Sequence, residues 1–288
     1  MMVKHLLNRL SVEVELEPCT LAQYGRALEK FGGYLGREAE VHDLTVDCVN
    51  QFLAALKAKG LTGTTVRNYR VSLTRLWNFA VSEGLCPPFD IRKLRSPKID
   101  RRPVRAWSSN QVSTLLESAS RVEGKLKMGL LRSDLLVAWI QVGYDTGLRP
   151  TDLRMLRWDD VDLESSRVII TQHKTHKPHT AVLSTDSIQS LLRIERPTRS
   201  RVFPLGKGGM RKLELLLFST ASLSGFRRSR GQGLGTLRKT HATAIYEAEG
   251  EHAAAESLGH VGGTRTVRAS YIDSRSIRAG RLPPRLLG

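Results

Sequence analysis

The sequence predicts a mainly α-helical protein with one small β hairpin or sheet, split into an N-terminal helical domain and a mixed α/β second domain. Three observations predict it. Apolar residues recur at helical spacing from Thr20 to Glu83. A basic, proline-rich stretch then interrupts the pattern between Cys86 and Arg105. Beyond it, only Arg167–Gln172 and Thr180–Leu183 alternate as strands do. The expected boundaries are 1–86 for the helical domain, 87–106 for a basic linker and 107–288 for the second domain with its tail.

The first helix is expected from Thr20, whose pairing with Gln23 forms a capping-box pattern; Leu21, Tyr24, Leu28, Phe31 and Leu35 make its stripe, and Gly36 ends it. A second follows Thr45 with Val49, Phe52, Leu53 and Leu56 on one face. A third spans about Thr64 to Glu83, with Val66, Tyr69, Leu73, Leu76 and Trp77 inward. The outer faces of this three-helix domain carry Arg26, Lys57, Lys59, Arg67, Arg70 and Arg75. In the linker, Pro87, Pro88, Pro97 and Pro103 disfavour helix, and the interleaved Arg and Lys suit either a solvated connector or a segment lying along a phosphate backbone.

The second domain opens with Ser108 or Ser109 capping a helix to about Ser120, followed by an apolar helix from Leu131 to Tyr144. The hairpin comes next, its strands joined by the basic stretch His173–His179. Further helices are expected at Thr185–Arg193, Arg211–Phe218, Thr236–Ala248 and Glu251–Leu258. After Tyr271 a tail carries Arg275, Arg278, Arg281 and Arg285.

Composition narrows the function. With 40% apolar and 25% charged residues the chain is globular rather than disordered, and a net charge of +17 spread over both halves points to a polyanion, nucleic acid first. Cys19, Cys48 and Cys86 have no paired spacing, which argues against disulfides or a zinc ribbon and fits a reducing, cytoplasmic setting. Residues 1–10 are too interrupted by polar groups for a signal peptide, and no apolar run is long enough to span a membrane. Neither Gly231, Gly233 and Gly235 nor Gly206–Gly209 completes a nucleotide-binding fingerprint. His173, His176 and His179 interleave with Lys174 and Lys177 between strands and read as a basic hairpin rather than a metal site. No cofactor, metal or nucleotide is expected.

The remaining residues are cations placed where anions bind, followed by a tyrosine. Arg149 follows Gly147 and precedes a short helix, and Arg238 opens another. Lys174 lies at the hairpin tip, and Leu258-Gly259-His260 ends a helix ahead of Tyr271. Singly, each has a plain structural explanation: an ion pair of Arg149 with Asp145 or Asp152, a helix-capping His260, a packing Tyr271, a solvated Lys174. Together and in order, Arg149, Lys174, Arg238, His260 and Tyr271 resemble the catalytic domain of the tyrosine recombinase, or phage integrase, family, and the helical domain is similar to that family's core-binding domain; the resemblance runs from about Thr20 to Ile272.

The resemblance implies a site-specific recombinase that cleaves and rejoins double-stranded DNA through a 3′-phosphotyrosine, with four protomers on two DNA sites. Tyr271 would be the nucleophile, Arg149 and Arg238 the clamps on the phosphate oxygens, Lys174 the general acid and His260 a hydrogen-bond donor to the phosphate. Two positions depart from the family pattern. Asp152 stands where the family has Glu, keeping the carboxylate, and Gly235 replaces the histidine associated with accepting the tyrosine proton. His241 and Lys239 are candidate substitutes. A type IB topoisomerase-like relaxing enzyme and a DNA-binding relative that has lost catalysis are the alternatives.

Overall fold

The computed structural model describes residues 1–99, 102–195, 199–259 and 264–277, and the chain divides into two compact units, Met1–Arg102 and Pro103–Gly288. The first contains α1 (Val3–Glu13), α2 (Pro18–Leu35), α3 (Val46–Ala58) and α4 (Gly63–Ser82). The helix α1 is absent from the sequence reading, although Val3, Leu6, Leu7 and Leu10 are all buried at helical spacing. It lacks a start signal, because its N-cap, Met2, makes no side-chain cap bond. The capping box expected at Thr20 does not form either. Helix α2 starts two residues earlier with Pro18, whose fixed φ suits a first turn, at its N-terminus. Thr45 and Thr62 do cap α3 and α4, accepting from Cys48 N at 3.2 Å and Thr65 N at 3.3 Å, each contributing about 1 kcal/mol. Phe31 and Phe52 meet edge to face at 5.1 Å in the core of the bundle. Arg70, expected outside, is half-buried and donates to the Ile91 carbonyl at 3.3 Å.

Much of the stretch read as linker packs on this first unit. Phe89 stacks on Trp77 at 3.7 Å, Leu94 is buried, and Asn50 bonds both the Lys93 carbonyl and the Arg95 amide. Asp90 caps a short turn of 3-10 helix at 91–93. Proline removes donors and blocks α-helix, yet leaves side chains free to pack.

The second unit contains α5 (Ser109–Ser120), α6 (Arg132–Thr146), α7 (Pro150–Met155), β1 (Val161–Asp162), β2 (Arg167–Thr171), β3 (Pro178–Val182), α8 (Thr185–Ile194), α9 (Lys207–Leu223), α10 (Thr236–Glu249), α11 (Glu251–Ser257) and α12 (Thr264–Ser270). Ser108 closes a reciprocal capping box with Gln111 at the start of α5. Helix α6 is the central element, touching α5, α7, α8, α9, α10 and β3, and its apolar residues are buried on several faces. The strands form one antiparallel sheet in the order β1-β2-β3, with Val168 opposite Ala181 and Ile170 opposite His179. Alternation sends Val168, Ile170 and Ala181 inward while Ile169 stays exposed. A small separate cluster of Ala242, Ala254, Leu258, Val267 and Ile272 fastens α10, α11 and α12 together. No helix among the described residues is long and apolar enough to cross a membrane.

Candidate active site

The corner between α6 and α7 sets the first arginine. Gly147 ends α6 at φ +57°, and Arg149 is the N-cap of α7 with Pro150 as its first residue. Arg149 is partly exposed; its Nη1 donates to Gln172 Oε1 at 2.7 Å and lies 3.7 Å from Asp152 Oδ2. The buried Asp152 carboxylate also accepts the His173 amide at 3.0 Å, tying α7 to the hairpin. Gln172, fully buried, donates from Nε2 to the Leu258 carbonyl at 3.1 Å.

Arg238 lies in the first turn of α10 and is only 3% exposed. It donates from Nη1 to the Gly147 carbonyl at 2.6 Å and from Nη2 to the Leu258 carbonyl at 3.1 Å, while its guanidinium carbon stands 5.0 Å from the centre of the Tyr271 ring. Leu258 O thus receives both Arg238 and Gln172, which holds Arg149 in turn. Burial, and next the charge of Arg149, lower the Arg238 pKa, with Tyr271 acting in the opposite direction. Guanidinium remains protonated throughout the physiological range. Tyr271 follows α12 and packs against the small apolar cluster, and its carbonyl receives Thr243 Oγ1 at 3.4 Å.

Two glycines make these approaches possible. A Cβ at Gly147 would stand 2.5 Å from His241 Cδ2, and one at Gly259, where φ is +68°, would stand 2.8 Å from Gln172 Nε2 and 2.9 Å from His179 Nδ1. Left-handed backbone costs a side chain about 1 kcal/mol or more, and forced overpacking typically costs another 1–3 kcal/mol. Gly147→Ala is therefore expected to destabilise the protein by about 2–4 kcal/mol, measured by denaturant unfolding; a loss below 0.5 kcal/mol would contradict the packing at this corner.

The structure thus brings Arg149, Arg238 and Tyr271 together around the Gln172–Leu258 link. Lys174 stands on the exposed turn between β2 and β3. His260 lies outside the described residues. Gly235 is the N-cap of α10 at φ −64°, where a Cβ would meet Pro150 Cγ at 3.2 Å. His173 and His176 are exposed, and no group of three His, Cys, Asp or Glu among the described residues could hold a metal ion.

Gln172 and His179 were not singled out as inward residues from the sequence, although a signal for both was present. Gln172 shares the parity of Val168 and Ile170, and His179 that of Ala181 and Leu183, so both polar groups had to face inward. Burial first, and then the Arg238 charge, lower the pKa of His179; burial likewise lowers that of His241, against the pull of its 2.8 Å Nδ1 bond to the Tyr144 carbonyl. Folding therefore disfavours the protonated imidazoles. Their contribution is fully present above the unfolded value of about 6.5 and is lost as pH falls below it. Thermal unfolding midpoints should drop between pH 7.5 and 5.5, and drop less in His241→Gln; a flat profile in the wild type would exclude this coupling.

A buried arginine with a tyrosine ring 5.0 Å from its guanidinium carbon, and a second arginine tied to it through Gln172 and the Leu258 carbonyl, make a cationic site whose chemistry suits an anionic oxygen. Residues 3–84 match the phage integrase N-terminal SAM-like domain, and residues 107–216, which hold Arg149 and Lys174, match the phage integrase family. Tyrosine recombinase XerC of Alcanivorax borkumensis is 27% identical over 286 residues, covering 94% of this chain and 89% of that protein. XerC of Roseiflexus castenholzii is 31% identical over 174 residues, covering 58% of this chain and only about half, 52%, of that protein. The fold is similar to lambda integrase, seen as a dimer bound to a COC′ core site (TM-score 0.74, 17% identity, 99% of this chain and 100% of that one) and as a tetramer bound to a Holliday junction (TM-score 0.73, 17% identity, 98% and 80%). The chain belongs to the tyrosine recombinase, or phage integrase, family.

Proposed function

We propose that this chain is a site-specific recombinase that breaks and rejoins duplex DNA with Tyr271 as nucleophile. The observation that carries the reading is the Arg238 guanidinium, anchored by two backbone carbonyls and standing 5.0 Å from the Tyr271 ring. Desolvated and fixed in place, it meets developing charge without reorganising. Attack forms the bond from the tyrosine oxygen to phosphorus and breaks the bond from phosphorus to the 5′ oxygen. Arg149 and Arg238 hold the non-bridging oxygens of the pentacoordinate transition state, and His260 donates to the same phosphate. Lys174, on its exposed turn, supplies the proton that the departing 5′ oxygen takes. The 3′-phosphotyrosine conserves the bond energy, so rejoining by a 5′ hydroxyl is the same reaction reversed and consumes no nucleotide.

The partner is double-stranded DNA, engaged by basic residues of both units, and four protomers on two sites complete an exchange. The test is a nicked duplex that loses its 5′ hydroxyl fragment after cleavage, trapping a protein–DNA adduct resistant to denaturant. Adduct formation with strand exchange is expected. Plasmid relaxation without exchange would favour a topoisomerase-like enzyme, and binding without adduct a catalytically lost relative. Binding should also weaken steeply with salt, by about a thousandfold or more between 50 and 200 mM if on the order of six to ten phosphates are neutralised. Titration of one duplex at several salt concentrations measures the slope, and a flat one contradicts an interface built on this chain's +17 charge.

A further inference from the structure

Two residues beyond the tyrosine lies a carboxylate that the chemistry above does not use. Asp273 is 2% exposed. Its Oδ2 accepts the Ala106 amide at 2.7 Å and Arg275 Nη2 at 2.9 Å; its Oδ1 accepts the Arg275 amide at 2.8 Å and Arg275 Nε at 3.0 Å, with Arg105 Nη1 at 3.6 Å. The Ser274 amide donates to the Val104 carbonyl at 3.1 Å. Residues 104–106, where the chain enters the second unit, are thus fastened to the segment that leaves Tyr271.

Both segments are also referenced to α10. The Trp107 amide donates to Thr240 Oγ1 at 3.1 Å, and the Asp273 amide donates to Thr243 Oγ1 at 2.9 Å, whose hydroxyl passes on to the Tyr271 carbonyl. The same helix carries Arg238. A closed ring of contacts therefore runs from α10 through the entry segment and Asp273 to the tyrosine backbone and back to α10.

Anchorage alone does not require this. The neighbouring Ile272 is fully buried and already holds the segment by apolar contact. Apolar burial is non-directional, whereas a buried carboxylate is tolerated only when its hydrogen bonds are met in fixed geometry. Burial by itself would raise the Asp273 carboxyl; the hydrogen bonds from Arg275 and Ala106 and the Arg275 charge outweigh it and hold the pKa at about 2, so the clasp stays ionised wherever the protein works.

We propose that Asp273 is a positioning residue that sets where the Tyr271 oxygen stands relative to Arg238 by clasping the nucleophile segment to the entry segment of the second unit. The proposal rests on the reading of Tyr271 as nucleophile. Displacement of the entry segment reaches the nucleophile through this carboxylate, beside the backbone bond from Ser274 to Val104.

Adduct formation at saturating DNA tests it, measured for Asp273→Ala, Asp273→Asn and Thr243→Val on two nicked duplexes, one with the ordinary 5′ oxygen and one with sulfur at the bridging position. Sulfur leaves without a proton, so it relieves a missing general acid and does nothing for a misplaced nucleophile. A misplacement of about 1 Å costs on the order of a hundredfold. Asp273→Ala should slow the adduct about that much on both substrates with DNA affinity nearly unchanged, whereas a Lys174→Ala defect should recover on the sulfur substrate. Asp273→Asn, which still accepts the Ala106 amide, should recover part of the rate, and Thr243→Val, nearly isosteric, should be slowed to an intermediate degree. Wild-type rates in both Asp273→Ala and Thr243→Val, or a defect that sulfur relieves, overturn the proposal; if Asp273→Ala does not fold, a wild-type rate in Thr243→Val does so alone. A wild-type chain that binds DNA and forms no adduct overturns the recombinase reading instead.

Discussion

Tyr271→Phe is expected to abolish the covalent protein–DNA adduct while leaving DNA affinity within about twofold. The substitution removes one oxygen, and with it the hydrogen bond between that oxygen and Arg238. The ring still packs on the cluster of Ala242, Leu258 and Val267, and the Arg238 guanidinium still stands over an aromatic face, an interaction of about 0.5–2 kcal/mol that phenylalanine retains in large part. Binding, which draws on charges throughout the chain, is therefore insulated from the change. Cleavage is not, because without the phenol no covalent intermediate can form, and the residual rate should fall at least about a thousandfold. Arg238→Ala makes the instructive contrast. It would take from the Gly147 carbonyl its side-chain donor, at about 1–3 kcal/mol, leave the Leu258 carbonyl to Gln172 alone and open a cavity beside them, so its loss of activity mixes chemistry with folding. The nicked duplex, followed by peptide mapping of any adduct, decides the matter. An adduct that persists in Tyr271→Phe, or maps to Tyr246, removes Tyr271 from the reaction.

What the sequence made legible follows from how local each signal is. Helices α3 and α5 were readable because a Ser or Thr precedes an apolar stripe, and Thr45 and Ser108 do cap them; the caps of α4 and α8, Thr62 and Ser184, lie just before the expected starts and were not singled out. Helix α9 begins four residues before its predicted start because Gly208 and Gly209 sit in its first turn, where composition argues against helix. Strand β1 has two residues and α12 one buried side chain, Val267, so neither can show a period.

The site divides along the same line. Arg149 and Arg238 each stand at a helix start beside a glycine, a short-range pattern with a known use for anions. Their partners are another matter. Gln172 reaches Leu258 across 86 positions and Asp273 reaches Ala106 across 167. Such pairs are set by tertiary packing, and sequence exposes them only as polar residues in inward places. For Gln172 and His179 strand parity supplied that clue; for Asp273, in a turn after a seven-residue helix, no periodicity existed to supply it.

Gly235→His should accelerate cleavage by about a hundredfold, the lower part of the range a general base contributes. Position 235 precedes Arg238 by three residues, one helical turn, so a side chain there shares the arginine's face of α10. The backbone accepts a side chain without strain, since φ is −64° and ψ −12°, and among the described residues a new Cβ meets only Pro150 Cγ, at 3.2 Å, a ring that must yield by a few tenths of an ångström. Pro150 itself follows Arg149, so the new Cβ stands beside the start of the helix that the first arginine caps. In the wild type the phenol proton has no acceptor at this place and passes to water, to the phosphate or to a buried imidazole. Of the two near Arg238, His241 is engaged through Nδ1 with the Tyr144 carbonyl, and His179 Nε2 makes no hydrogen bond among the described residues. Burial lowers the pKa of both, so each is neutral at pH 7 and a weak base. The wild-type rate should therefore climb with rising pH, and the climb should flatten in Gly235→His. If His179 or His241 already takes the proton, replacing it by Ala will slow cleavage without weakening binding and Gly235→His will add little. Equal rates in the wild type, Gly235→His, His179→Ala and His241→Ala would show that removal of the tyrosine proton does not limit cleavage, and the glycine would then carry no kinetic cost.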